Sequence, residues 1–207
     1  MPNTTLPPEI AHWFAGREWR VRRHQAEMYA AAQAGDHALL VADTGAGKTL
    51  AGFLPTLAAF CPSQGPAPEG LHTLYVSPLK ALAHDVQRNL MTPVAEMGLP
   101  LTVETRSGDT PSDRKKRQRA KPPGVLLTTP ESLSLLLSYP DSFQLFAGLK
   151  RIVIDEVHAF ATDKRGDLLA LSLARLQAIA PALQRAALSA TLADPEAFRG
   201  WLAPWGE

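Results

Sequence analysis

The segment from Ala42 to Thr49 constrains the fold of this chain more than any other. It follows an apolar run at residues 38–41 that predicts a buried strand, it leads into an apolar helical pattern at residues 48–60, and it reads Ala-Asp-Thr-Gly-Ala-Gly-Lys-Thr. Glycines between a strand and a helix let the backbone turn tightly, so that its N–H groups and the helix N-terminus point at a bound phosphate. The segment therefore predicts a phosphate-binding loop in an α/β fold.

The same alternation of strand and helix patterns continues along the chain. Further short strands are predicted at residues 73–76, 101–103, 125–128, 152–154 and 186–188. Helices are predicted at residues 79–97, 131–137 and 167–179, and a Pro- and Gly-rich loop at residues 61–70. Such alternation is typical of a mostly parallel sheet with helices on both faces.

The loop residues predict how a nucleotide would be held. We expect the Lys48 amine to reach the β- and γ-phosphates and the Thr49 hydroxyl to coordinate Mg²⁺. The phosphates would also contact the loop itself, at Thr44, Gly45, Ala46 and Gly47. The structural alternative is a glycine-rich turn with an exposed lysine. The pattern favours ATP with magnesium.

A second motif places two carboxylates directly after an apolar strand. Asp155 and Glu156 follow the strand pattern at residues 152–154. Carboxylates in this position could simply cap a helix. Because a phosphate-binding loop occurs in the same chain, we expect Asp155 to hold Mg²⁺, and Glu156 to orient and deprotonate the attacking water.

Composition limits the class of protein further. Of the 207 residues 45% are hydrophobic and 20% are charged, which is typical of a globular domain. Because no apolar run approaches roughly 20 residues, and residues 1–16 lack the layout of a signal peptide, we expect a cytoplasmic protein with no membrane partner. The single cysteine, Cys61, has no neighbouring His and is predicted to be a buried small hydrophobe rather than a nucleophile.

The net charge of +1 conceals a basic patch between residues 106 and 121. This stretch contains only two acidic residues, Asp109 and Asp113. Its basic residues are Arg106, Arg114, Lys115, Lys116, Arg117, Arg119 and Lys121. Charge alone is compatible with a solvated helix face or with a surface close to nucleic acid.

The segment Asp155-Glu156-Val157-His158 resembles the DExH box of superfamily 2 helicases, and Lys48-Thr49 is similar to their motif I. Further segments resemble that family's motifs in the same order: Gln25, residues 77–82 (Ser-Pro-Leu-Lys-Ala-Leu), residues 128–132 (Thr-Thr-Pro-Glu-Ser) and residues 189–191 (Ser-Ala-Thr). This resemblance implies a RecA-like fold. Asp43 departs from the pattern, since proline is usual there, and it places a carboxylate near the phosphates.

Two further stretches, residues 106–111 and 164–171, resemble the large helicase-related (Lhr-like) family, and residues 193–198 resemble its bacterial ligase-associated branch. The resemblance implies 3′-to-5′ movement on single-stranded DNA and work in DNA repair. The implied partners are an ATP-dependent DNA ligase, a nuclease and a metallophosphoesterase.

The resemblance also implies roles for single residues. Gln25 would bind adenine, and His158 would link the γ-phosphate side to the strand before Ser189. Ser189 and Thr191 would couple hydrolysis to movement, because the family inserts that strand between the other two phosphate-site strands. Contacts to the nucleic-acid backbone would come from Lys80, Arg106, Thr129 and Ser132.

The resemblance divides the chain into an N-terminal extension at 1–16, a RecA-like ATP-binding domain at 17–192 and, at 193–207, a lead into a second RecA-like domain. Because that second domain would supply arginine fingers, residues 1–207 alone are expected to be nearly inactive. Two alternatives stay open. One is a helicase that acts on RNA or an RNA–DNA hybrid, and the other is a nucleotide-gated clamp without productive turnover, which Asp43 would favour.

Overall fold

A computed structural model of the protein describes residues 5–160, 164–192 and 194–202. Within these residues a parallel sheet has the strand order β1-β6-β5-β2-β4-β3. The strands are β1 (Ala38–Val41), β2 (Thr73–Val76), β3 (Val103–Thr105), β4 (Val125–Thr128), β5 (Arg151–Ile154) and β6 (Gln184–Ser189). The predicted α/β fold and parallel sheet are confirmed.

Helices connect the strands and cover the sheet. They are α1 (Pro8–Gly16), α2 (Arg23–Ala34), α3 (Lys48–Ala59), α4 (Lys80–Glu96), α5 (Ser112–Ala120), α6 (Pro130–Ser138), α7 (Ser142–Phe146), α8 (Lys164–Ile179) and α9 (Pro195–Leu202). Short 3₁₀ turns follow α3 and β5, at Pro62–Gln64 and Val157–Phe160. No helix among the described residues is both long enough and apolar enough to cross a membrane.

One predicted strand is displaced. The apolar pattern placed it at residues 101–103, whereas β3 covers Val103–Thr105. Hydrogen bonding to the neighbouring β4 begins where the Val125 N–H donates to the Thr102 carbonyl, so that Leu101 is buried ahead of the strand. Because β3 lies at the edge of the sheet, it accommodates the polar Glu104, which interrupts the apolar pattern of the sequence.

The core consists of two apolar clusters, one on each face of the sheet. Successive strand residues point to opposite faces, so that Val153 belongs to the cluster under α1–α4 and Ile152 to the cluster under α6–α9. The first cluster contains Phe53, Leu54 and Leu188 and also includes Cys61, as predicted. Burial raises the pKa of the Cys61 thiol to about 12, which leaves it protonated and unreactive.

The first and last described helices belong to this packing. In α1, Ile10 and Phe14 are buried in the cluster under α1–α4. Of the predicted lead at 193–207, the structure describes residues 194–202; Ala193 and residues 203–207 lie outside its description. Leu202 in α9 is buried, and its carbonyl accepts a hydrogen bond of 2.7 Å from Arg185 Nη1.

Candidate nucleotide site and nucleic-acid face

The ends of β1, β6 and β5 form one edge of the sheet. Because all of the strands are parallel, the segments that leave their carboxyl ends begin side by side, where α/β proteins bind ligands. The Ala42 N–H at the start of the loop donates to the Ser189 carbonyl at the end of β6, with an N···O distance of 3.1 Å. The implied insertion of β6 between β1 and β5 is confirmed.

The loop before α3 has the backbone that its glycines predict. Gly45 and Gly47 both have φ values of 79°, in the left-handed region that favours glycine. Lys48 begins α3, and its Nζ donates to the carbonyls of Ala42 at 2.7 Å and Asp43 at 2.9 Å. The buried amine thus spans the loop between neutral oxygens, and a phosphate would offer it a charged acceptor instead.

Gln25 packs against this loop. It is buried in α2, and its Oε1 accepts a hydrogen bond of 2.9 Å from the backbone N–H of Arg22. A Cβ at position 47 would lie 3.0 Å from Gln25 Nε2, so only glycine leaves ordinary room there. Arg22 Nη1 also lies 3.4 Å from the Gly45 carbonyl. The structure therefore brings Gln25 next to Gly47.

Both oxygens of the Asp155 carboxylate have hydrogen-bond donors. Oδ1 accepts from the Glu156 backbone N–H at 2.9 Å, and Oδ2 accepts from the Tyr75 hydroxyl at 2.6 Å. Burial and the adjacent carboxylate raise the pKa of Tyr75 well above its usual range, so the phenol keeps its proton and donates it. The sequence analysis did not single out Tyr75, because it lies inside an apolar strand pattern.

His158 connects the carboxylate segment to the end of β6. The Ser189 hydroxyl donates to the Thr191 carbonyl at 2.8 Å, so the same oxygen must accept from His158 Nδ1, which lies 3.0 Å away. This arrangement places the proton of a neutral His158 on Nδ1. Glu156 Oε2 is 3.4 Å from the same nitrogen. Glu156, His158 and Ser189 thus form a continuous polar chain.

Thr49 and Asp155 offer a hydroxyl and a carboxylate, which are oxygen donors of the kind that Mg²⁺ prefers. Among the described residues no group of three or more His, Cys, Asp or Glu side chains could hold a metal by itself. A magnesium ion at this edge would therefore complete its coordination with phosphate and water oxygens, which is how nucleotide-dependent sites bind it. The residues present fit such an ion.

The residues predicted to contact nucleic acid lie in different surroundings. Thr129 and Ser132 are buried at the start of α6, where the Thr129 hydroxyl caps the helix. Arg106 is only 2% exposed, and its Nη1 donates to the Lys115 carbonyl at 2.9 Å. The Lys80 side chain lies outside what the structure describes. The nucleic-acid contacts of these residues stay predictions.

Arg165 joins two of the predicted nucleic-acid segments, although sequence reasoning gave it no role. Its Nη2 donates to the Pro78 carbonyl at 2.8 Å, and its Nε donates to Glu131 Oε1 at 2.5 Å. The adjacent Gly166 permits this position, because a Cβ there would lie 2.0 Å from the Phe160 carbonyl oxygen. The close approach explains why glycine follows Arg165.

Two acidic side chains pair with three of the four arginines in the basic patch. Glu104 on β3 pairs with Arg114 at 3.2 Å and with Arg117 at 2.8 Å. Arg119 pairs with Asp141 at 3.2 Å and lies over the ring of Tyr139. Among the remaining basic residues of α5 and its C-terminus, Lys116 and Lys121 are exposed. Most of the arginine charge therefore serves to hold α5 in place.

The fold and the site define the class of protein: a P-loop nucleotide-binding domain of the RecA-like type, with a DExH carboxylate segment two strands from the loop. The chain belongs to the DEAD/DEAH box helicase family, whose model matches residues 22–198.

Individual relatives agree with this assignment. The Lhr helicase/probable uracil glycosylase of Mycolicibacterium smegmatis is 47% identical over 184 residues, which are 83% of this chain and 12% of that protein. The ATP-dependent helicase Lhr-Core of Methanocaldococcus jannaschii is 39% identical over 194 residues, which are 85% of this chain and 23% of that protein. The chain thus spans less than a quarter of the length of either relative.

Among solved structures, the Mycobacterium smegmatis helicase Lhr bound to single-stranded DNA and AMP-PNP superimposes with a TM-score of 0.89 and 40% sequence identity. The match covers 98% of this chain and 27% of that one. This similarity confirms the RecA-like fold.

Proposed function

We propose that this chain is the N-terminal ATP-binding motor domain of an ATP-dependent DNA helicase or translocase of the Lhr type. The observation that carries the proposal is the convergence of the Lys48 loop, Ser189 and the Asp155–Glu156 carboxylates on one sheet edge. The similarity to an Lhr helicase bound to single-stranded DNA and AMP-PNP supports it. The chain would work in the cytoplasm, and residues 17–192 would form the motor domain, with 193–207 leading into a second one.

The residues would divide the work as their surroundings allow. Lys48 would exchange its two loop carbonyls for phosphate oxygens, and Gln25 beside Gly47 would bind adenine. Thr49 and Asp155 would hold Mg²⁺, which when bound neutralises charge on the phosphates. Glu156 would orient the attacking water and take its proton.

Coupling to movement would run through His158. Its Nδ1–H lies between the Ser189 hydroxyl and the Glu156 carboxylate. A change in the position of Glu156 during hydrolysis would therefore shift His158, and with it the hydrogen bonds of Ser189 and Thr191. The second motor domain would read that change, closing on the DNA strand with ATP and opening after hydrolysis. Travel from 3′ to 5′, DNA repair and a ligase, nuclease and metallophosphoesterase as partners belong to this proposal through the family resemblance alone.

A Glu156→Gln variant tests the catalytic assignment. It is best made in a chimera in which residues 1–207 replace the matching segment of the M. smegmatis relative, because the chimera supplies the rest of the motor. We expect DNA-stimulated phosphate release to fall about 10²- to 10⁴-fold, with unchanged ATP affinity. Glu27→Gln, on the exposed side of α2, is the matched control. Preserved hydrolysis in the Glu156 variant would remove that residue from its role.

Competition between DNA and RNA of one sequence, at one stated salt concentration, tests the substrate. Preferential displacement by single-stranded DNA is expected. Preference for RNA or a hybrid would overturn the DNA assignment and leave the ATPase assignment intact. An unmodified chimera that binds both ATP and DNA but releases no phosphate would support the clamp alternative.

A further inference from the structure

Tyr75 lies between the two halves of the nucleotide site. It belongs to β2, beside β5, and is paired in register with Val153. Asp155 lies two residues beyond Val153 and therefore on the same face of the sheet. The long phenol reaches along that face, and its hydroxyl donates to Asp155 Oδ2 at 2.6 Å. Tyr75 itself is completely buried.

The ring of Tyr75 also contacts the helix that carries the phosphate loop. It stacks on Phe53 of α3 with a centroid distance of 5.5 Å and an interplanar angle of 24°. Phe53 lies five residues after Lys48 on the same helix. One side chain thus touches the helix that follows the loop and the carboxylate that would hold the metal, which come from opposite sides of β6.

A carboxylate held by a single donor is free to turn about its last side-chain bond. In Asp155 the Glu156 N–H holds one oxygen and the Tyr75 hydroxyl holds the other. Two donors on two oxygens fix the plane of the carboxylate while leaving further lone pairs for ligands. A buried donor of this kind also prevents Asp155 from recruiting a different partner on the core side.

We propose that Tyr75 is a positioning residue for magnesium binding, acting through the Asp155 carboxylate; this inference rests on the proposed function of the site. Outer partners of metal ligands characteristically change metal affinity by 10- to 100-fold when they are removed. Tyr75→Phe removes the hydroxyl and keeps the ring on Phe53. The variant therefore separates positioning of Asp155 from packing of α3.

The measurement is the affinity of the 207-residue chain for a fluorescent ADP, with Mg²⁺ and with EDTA. The ratio of the two dissociation constants reports the contribution of the metal. We expect Tyr75→Phe to reduce this ratio about tenfold and to leave the affinity in EDTA unchanged. Tyr29 is also buried but lies in α2. Tyr29→Phe removes its hydroxyl and should leave the ratio and the affinity in EDTA as in the wild type.

A double variant decides whether the effect passes through Asp155. Asp155→Asn should abolish the magnesium contribution, and adding Tyr75→Phe should change nothing further. An additional loss in the double variant, an equal loss with and without metal, or a wild-type ratio in Tyr75→Phe would each overturn the positioning role. Absence of any Mg²⁺-dependent binding by the wild-type chain would instead overturn the proposed function, and the inference with it.

Discussion

At the scale of single residues, Glu156 has a strained backbone conformation and carries a side chain that is predicted to be catalytic. Its φ of 50° lies in the left-handed region, which costs a residue with a Cβ on the order of 1 kcal/mol. The turn follows directly on Asp155, whose Oδ1 accepts the Glu156 N–H. The local bend therefore both ends β5 and fixes the neighbouring carboxylate.

Comparison of Gly and Ala at position 156 measures this strain. Because glycine adopts positive φ freely, we expect Glu156→Gly to be more stable to urea than Glu156→Ala by roughly 1 kcal/mol. Glu27 in the middle of α2 provides the opposite control, since there Gly should be less stable than Ala by about 1 kcal/mol. Equal stability of the two variants at position 156 would contradict the backbone assignment.

His72 makes folding sensitive to acid. The residue is 7% exposed, and burial, together with the nearby Arg151 and Lys150, lowers its pKa from 6.5 to about 4. The unfolded chain therefore binds the proton more readily, so stability is complete above about pH 6.5 and falls as the pH is lowered toward 4. The loss from this one group amounts to about 3 kcal/mol.

Urea unfolding of wild type and His72→Gln at pH 7.5, 6 and 5 would test this expectation. The wild type should lose stability with falling pH more steeply than the variant, and the difference should grow below about pH 6.5. His12→Gln removes an exposed histidine in α1 and should keep the wild-type slope. Parallel pH profiles for wild type and His72→Gln would show that His72 does not carry the acid sensitivity.

At the scale of elements, Arg165 ties the start of α8 to the segment before α4 and to α6. Arg165→Gln breaks contacts with the Pro78 carbonyl and Glu131 and should loosen both predicted nucleic-acid segments together. We expect about fivefold weaker single-stranded DNA binding in the chimera, equivalent to roughly 1 kcal/mol, with unchanged nucleotide affinity. Arg175→Gln is matched, since Arg175 also joins α8 to α6, through the Leu137 carbonyl. Equal effects of the two variants would indicate general loosening of α8.

The sequence predicted those strands and helices that have a clear apolar pattern of their own. Strands such as β2 and β4 are buried on both faces, so continuous apolar runs marked them. The edge strand β3 was displaced because Glu104 serves α5 rather than the core. The roles of Tyr75 and Arg165 were not predicted, because their partners, Asp155 and Pro78, are 80 and 87 residues away in the chain. Local patterns carry no signal for such pairings.

At the scale of the whole molecule, the proposed nucleotide site would draw on residues from Gln25 to Thr191, at the carboxyl ends of the strands. From the described residues, the site has a buried basic side chain in Lys48, whose Nζ donates to the Ala42 carbonyl of the phosphate-binding loop. In motors of this class an arginine from another domain stabilises the transferring phosphate, and its removal lowers the rate roughly 10³- to 10⁵-fold. The chain spans 12% and 23% of its two compared relatives, which leaves them ample length for such a domain.

Residues 1–207 by themselves should therefore bind magnesium nucleotide and yet release phosphate roughly 10³- to 10⁵-fold more slowly than the intact M. smegmatis relative. Single-stranded DNA should not restore the rate, because stimulation needs both domains closed on the strand. The chimera should restore it, since the same Lys48, Asp155 and Glu156 then face a complete partner. Phosphate release by the 207-residue chain at a rate comparable to the intact helicase would show that these residues suffice for hydrolysis without a second domain.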